Sequence, residues 1–259
     1  MIRCAHAPIL IAILLIITLA SSGRLWAFET GCGIRDAGGN SDDLNDRSPT
    51  LIATADFNRD GIADVAEIVQ PTGHDHGQCI LQIFLGQKDG SYKSALHQPL
   101  LKDDPLSMAA GDFNGDGNPD LLVGTGDGSV TELLGDGKGN LRSAGEIAHV
   151  GSVVSIAVGD FNRDGIPDIA ISDFSANAVH ILQGSGSGSF TIGWSFALPV
   201  SGTTYYLAVA DFNGDGVSDL AITSDEEGAF VVMLGNGNGT FTYSPALSNI
   251  RDPNSYCPT

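Results

Sequence analysis

Four times the chain reads Asp-Phe-Asn-[Arg/Gly]-Asp-Gly-x-x-Asp, at residues 56–64, 112–120, 160–168 and 211–219. Side-chain oxygens stand at positions 1, 3, 5 and 9 of each copy, and the Gly at position 6 permits the sharp turn that lets them converge. The candidate ligands are Asp56, Asn58, Asp60 and Asp64; Asp112, Asn114, Asp116 and Asp120; Asp160, Asn162, Asp164 and Asp168; and Asp211, Asn213, Asp215 and Asp219. By analogy with other Asp-rich loops, the position-7 backbone carbonyls of Ile62, Asn118, Ile166 and Val217 add one donor each. Such a donor set suits a hard cation. Calcium fits better than magnesium, which demands a stricter octahedron and holds its water. Three carboxylates packed around one point repel unless a cation is present, so Ca²⁺ at about four sites is expected to stabilise the folded loops.

An EF-hand loop begins in the same way but needs a bidentate Glu at position 12. Only the first copy has one, Glu67; the others carry Val123, Ile171 and Ile222. Asp-Asn-Gly clusters also make metal-free turns, and it is the repetition of one oxygen pattern that favours the cation.

The elements that position these loops repeat too. First aspartates lie 56, 48 and 51 residues apart, the period of a four-stranded unit. A strand precedes each loop, with small residues on one face: Ala53 and Ala55, Ala109 and Gly111, Ala157 and Gly159, Ala208 and Ala210. Small faces suit strands that crowd around an axis. Apolar alternation follows each loop, as in Leu121 and Val123, Ile169 and Ile171, Leu220 and Ile222. A third strand then runs into a Gly-rich turn, and a fourth opens at Tyr92, Leu141, Phe190 and Phe241. No sustained helical period follows residue 27. The expected fold is all-β, a β-propeller-like array of four four-stranded antiparallel blades, as a small ring or a partial propeller. Phe57, Phe113, Phe161 and Phe212, at position 2 of the loops, are expected to pack inward.

These motifs resemble the FG-GAP or VCBS repeats found in integrin alpha chains and many exported bacterial proteins. The resemblance implies that the Asp-rich loop joins the first two strands of a blade and binds calcium, and that the propeller faces bind protein or carbohydrate. Its propellers usually have about seven or eight blades, so four copies imply a small ring, an arc completed by self-association with another chain, or a shortened array. Related propellers also serve as scaffolds in polysaccharide- and lipid-cleaving enzymes.

Residues 1–27 read as a signal peptide: Arg3 precedes an apolar run over residues 9–20 that is short for a membrane span. Export follows, to the periplasm, the cell surface or beyond, with no membrane association after signal removal. The remaining division is a polar segment over 28–47, repeats over 48–248 and a tail over 249–259. Asp and Glu number 31 against 12 Lys and Arg, a formal charge of -19 that makes nucleic acid a poor partner. Of those acids, 12 sit in the four loops, so the acidity is largely site chemistry. Cys32, Cys79 and Cys257 are an odd set: Cys32 pairs with Cys79 or with Cys257 and one thiol is left over.

Several residues stand apart from the repeat. Glu67 either faces a central channel, lends its loop a further oxygen, or marks a strand that ends early. His74, Asp75 and His76, in an insertion over 71–78, are either an acid–base or transition-metal cluster or a solvated turn. His149 and His180 read as packing residues, and Trp194 as core or recognition aromatic. No sequence motif pairs a nucleophile with a base, so the expected role is binding or adhesion rather than catalysis.

Overall fold

The computed structural model describes residues 47–71, 79–99, 104–198, 205–224 and 230–244. They form four antiparallel sheets of four strands each, ordered as in the sequence. Blade 1 comprises β1 (Arg47–Ala55), β2 (Asp64–Pro71), β3 (Ile80–Gly86) and β4 (Tyr92–Pro99). Blade 2 comprises β5 (Pro105–Gly111), β6 (Asp120–Thr125), β7 (Ser129–Gly135) and β8 (Leu141–His149). Blade 3 comprises β9 (Val153–Gly159), β10 (Asp168–Asp173), β11 (Ala178–Gly184) and β12 (Phe190–Ala197). Blade 4 comprises β13 (Tyr205–Ala210), β14 (Asp219–Ser224), β15 (Phe230–Gly235) and β16 (Phe241–Tyr243). Each nonapeptide links the first two strands of its blade, and each fourth strand opens at the residue expected.

Alternation along the second and third strands puts apolar residues on both faces of the inner blades. Leu121, Val123 and Leu133 meet blade 1, whereas Leu122 and Val130 meet blade 3. Ala170, Val179 and Ile181 in turn meet Leu220, Ile222, Val231 and Met233 of blade 4. The core is therefore a series of layers between blades, each buried only when its neighbour is present.

First strands stand innermost and face one another in sequence: β1 with β5, β5 with β9, β9 with β13. Their small residues make room for the position-2 rings. A Cβ on Gly111 would lie 2.8 Å from the Phe113 ring, and one on Gly159 2.8 Å from that of Phe161. Ser hydroxyls tie the inner edges together, because Ile156 N–H donates to Ser107 Oγ (2.7 Å) and Leu207 N–H to Ser155 Oγ (3.2 Å). These bonds satisfy amides that the sheet leaves unpaired. Among the described residues no comparable contact joins β13 to β1, so the blades form an open arc rather than a small ring.

The position-2 rings differ accordingly. Phe57, Phe113 and Phe161 are at most 2% exposed, but Phe212 is 40% exposed, which corrects the expectation that it packs inward. The first three are covered by the blade that follows. Glu67 lies within β2 and is buried, opposite Ile52 and Gln82, so the strand does not end early there.

The rings should therefore contribute unequally. Phe113→Ala is expected to cost about 3–5 kcal/mol and Phe212→Ala less than about 1 kcal/mol. Urea unfolding of the two variants beside the parent checks this, and equal losses would contradict the open-arc packing.

Candidate functional site

The position-9 aspartates begin the second strands and are fully buried. Each accepts two backbone N–H groups. Oδ1 of Asp64, Asp120, Asp168 and Asp219 takes Gly86, Gly135, Gly184 and Gly235 at 2.8, 2.9, 2.9 and 2.8 Å. Oδ2 takes the amide of Asn58 (3.2 Å) in blade 1, and of Phe113 (3.1 Å), Phe161 (3.0 Å) and Phe212 (2.8 Å) in the others. One carboxylate thus joins the loop to the end of the third strand. The donating glycines permit that approach, since a Cβ at Gly135 would stand 2.0 Å from the Pro119 carbonyl oxygen and one at Gly184 2.2 Å from that of Pro167. Burial pushes all four carboxyls above their ordinary range and the N–H bonds pull them back. Charge on the position-5 aspartate raises each again, joined in loops 1, 3 and 4 by the position-1 aspartate.

Positions 1 to 7 hold the loop's own backbone. Asp56 accepts the amides of Asp60 (3.0 Å) and Gly61 (2.9 Å). Asp112, Asp160 and Asp211 accept the same two positions of their loops. The Asn at position 3 accepts the position-5 amide through Oδ1 and donates its side-chain amide to the position-5 Oδ2. Position-5 Oδ1 in turn accepts the amides of Ile62, Asn118, Ile166 and Val217. Inward-facing N–H groups draw the carboxylates, the strongest acceptors nearby. Among the described residues no three His, Cys, Asp or Glu side chains stand as a ready metal-holding group. The donor chemistry nevertheless fits a hard cation: every donor is oxygen, three per loop are carboxylates, and charge on the position-5 aspartate raises the proton affinity of the buried position-9 carboxyl in every loop.

Position 4 alternates in a way the sequence reading passed over. Arg59 of loop 1 donates to Asn118 Oδ1 of loop 2 (3.4 Å), and Arg163 of loop 3 to the Asp215 carbonyl of loop 4 (3.0 Å). Loops 2 and 4 carry Gly115 and Gly214 instead. The arginines place positive charge between paired acidic loops.

The structure also assembles a cluster that no motif announced. Ser195 Oγ lies 2.8 Å from His180 Nδ1, and His180 Nε2 lies 3.2 Å from Asp173 Oδ2. The three residues sit on adjacent strands and meet only through the β10–β11 and β11–β12 registers. Asp173 also accepts the amides of Gly151, Ser152 and Ala176. Burial raises its carboxyl, but these bonds and that from His180 outweigh it and hold the group below its usual range. The cluster ties the blade 2–blade 3 connection to the sheet. His180 is therefore a polar bridge, and His149 is an exposed partner of Glu146 (3.3 Å), so neither is a packing residue. Trp194 is half-buried and packs against the core between blades 3 and 4, 4.8 Å from Phe196 and 6.0 Å from Phe241 between ring centroids. Cys79 is buried; Cys32, Cys257, the 72–78 segment with its His74–Asp75–His76 run, and residues 1–27, where a signal peptide is expected, lie outside the described residues.

Glu132 was legible but missed. It occupies the third-strand slot filled by Ile83, Ile181 and Val232 elsewhere, the comparison that had singled out Glu67. It is 3% exposed, and its Oε1 has no hydrogen-bond partner. Gly188 of blade 3 leaves it room, since a Cβ there would stand 3.3 Å from Oε2. Burial, with the Asp120 charge added, pushes its carboxyl up to about 7. The unfolded chain ionises this group near 4.5 while the folded chain holds the proton, so stability falls as pH rises from 4.5 to about 7 and then levels. Glu132→Gln is expected to remove that slope and to stabilise the protein at pH 8 by on the order of 1–3 kcal/mol. Thermal melts of both proteins between pH 4 and pH 8 check this, and parallel curves would contradict it.

A model of the FG-GAP-like repeat matches residues 56–123, 112–171 and 167–222, and one of the FG-GAP repeat matches residues 205–243. No curated protein matches. A crystal structure of a protein from Lactobacillus plantarum is similar, with TM-score 0.56 and 10% identity over 76% of this chain and 54% of that one. BBS1N, crystallised in complex with ARL6DN and soaked with lead, aligns with TM-score 0.49 and 16% identity over 76% of this chain and 52% of its own. The chain thus spans about half the length of these solved structures, and the first likeness concerns fold alone. With repeat models matched to all four blades, the chain belongs to the FG-GAP repeat family.

Proposed function

We propose that this chain is an exported, calcium-binding repeat module that binds protein or carbohydrate ligands outside the cytoplasm. The observation that carries the reading is the fourfold gathering of carboxylates, in which charge at position 5, joined in loops 1, 3 and 4 by position 1, adds to the burden of a buried carboxylate at position 9. In each loop the position-1, -3, -5 and -9 side chains and the position-7 carbonyl would hold the ion, as in Asp160, Asn162, Asp164, Ile166 and Asp168. Calcium would neutralise mutual repulsion and cross-link loop to sheet. The residues themselves set the loop's shape through the N–H network, leaving the position-5 carboxylates exposed. Export rests on the apolar run over 9–20, and ligand class on family membership.

Calorimetric titration with Ca²⁺ should find about four sites with Kd on the order of 0.1–1 mM, as for extracellular modules. At tenfold excess over Kd each site would add about 1.4 kcal/mol, so the melting temperature should fall in EDTA. Asp160→Ala should remove one site and leave the others. Identical melting in EDTA and in excess Ca²⁺ would sink the calcium reading. The same protein on glycan and protein arrays tests ligand class, and a mature N-terminus beyond residue 20 tests export.

A second reading, a serine hydrolase, has one observation in its favour: the Asp173–His180–Ser195 chain, with the residue types of orienting acid, base and nucleophile. A fluorophosphonate probe labels Ser195 if this reading holds. No labelling, with Ser195→Ala indistinguishable from the parent on ester substrates, rejects it.

A further inference from the structure

Every junction between successive blades repeats two contacts. The last Gly of the following blade's turn donates to the carbonyl of the position-2 Phe: Gly139 to Phe57 (3.0 Å), Gly188 to Phe113 (3.0 Å) and Gly239 to Phe161 (2.9 Å). The Phe ring meets the residue that opens the following blade's fourth strand. Phe57 shares a cluster with Leu141, while Phe113 and Phe190 have centroids 5.9 Å apart and Phe161 and Phe241 5.4 Å apart. Each blade thus carries an acceptor half on one side and a donor half on the other.

The two ends of the arc keep one half each. Blade 4 has Phe212, 40% exposed. Blade 1 has Tyr92, which opens its fourth strand and is 37% exposed, and Gly90 in open space. Gly90 has φ +83°, matching +86°, +78° and +81° at Gly139, Gly188 and Gly239, but its N–H turns back to the Gln87 carbonyl (2.9 Å). Acceptor and donor halves of the same junction therefore stand unmatched at opposite ends. Charge agrees with this pairing. Where the other turns place Gly137, Gly186 and Gly237, blade 1 places Lys88. At the junction of blades 2 and 3 that slot lies under Gly115 of the acidic loop, whose Cβ would stand 2.8 Å from the Gly186 carbonyl oxygen. Loop 4 has Gly214 at this position, in open space, flanked by Asp211 and Asp215. The middle of the outer face of blade 4, at Ala221 and Val232, and that of blade 1, at Val69 and Ile80, are already buried, so the open parts are the loop end of blade 4 and the turn end of blade 1.

We propose that a second copy of this chain docks its blade 1 on blade 4, seating Tyr92 against Phe212, Gly90 N–H on the Phe212 carbonyl, and Lys88 among the loop 4 aspartates. The contact is heterologous: two copies exchanging two such junctions close a ring, and unclosed exchange extends a chain of arcs.

Sedimentation velocity of the full exported chain across a concentration series, in Ca²⁺ and separately in EDTA, tests the proposal. Concentration-dependent self-association is expected, with Phe212→Asp and Lys88→Glu each raising the dissociation constant by about tenfold or more. Because both residues are exposed, melting temperatures should stay unchanged. In a mixture of isotope-labelled and unlabelled chains, carbodiimide should join Lys88 of one copy to Asp211 or Asp215 of another. A monomer at every concentration overturns the proposal, as does association indifferent to both substitutions. A monomer in which Phe212 is shielded from covalent footprinting also overturns it, and assigns the occupant to the chain's own remaining residues.

Discussion

A buried carboxylate at the start of each second strand is the constraint on which the rest of this protein hangs. Asp64, Asp120, Asp168 and Asp219 give up water entirely and recover two backbone N–H bonds each, one from the loop and one from the turn two strands on. A carboxylate can accept both at once, and its charge strengthens each bond. That single group sets the loop on the sheet, brings the Gly-rich turn alongside, and directs the position-2 Phe toward the next blade. Gly86, Gly135, Gly184 and Gly235 follow from the same geometry, because each would place a Cβ within 2.3 Å of the carbonyl oxygen preceding the aspartate.

From this clamp the protein grows in one dimension. Each blade covers the Phe ring of its predecessor and donates an N–H to that residue's carbonyl, so burial at one position depends on the neighbour. The apolar layers between blades obey the same rule, with one face of a second strand packing backward and the other forward. Glu132 departs from it: a carboxyl in a forward-facing apolar slot, pushed up to about 7 by burial. The alternating Arg59 and Arg163 impose a pairing on top of the repeat, bridging loops 1 and 2 and loops 3 and 4.

Much of this was legible in the chain as written. The period, the loop positions and the fourth-strand openers Tyr92, Leu141, Phe190 and Phe241 are local properties of turn chemistry and alternation, and they appear where expected. Glu132 was legible too, through the slot it shares with Ile83 and Ile181. Ser195, His180 and Asp173 were not, because residues on three strands meet only when register is set, and no spacing in the sequence encodes register. His149 and His180 look alike in sequence, yet one is a surface partner of Glu146 and the other a bridge on a buried aspartate.

By itself the sequence determined the unit: four strands, an oxygen-rich loop, a Gly-rich turn and a Phe to pack, since each is set by residues within one period. Only the tertiary structure decided what becomes of identical residues in different blades. Phe57, Phe113, Phe161 and Phe212 share one local motif, and the first three are buried while the last is open. The physical reason is that a hydrophobic contact belongs to two surfaces. Whether the second surface arrives depends on where the blade stands in the arc and whether its ends meet.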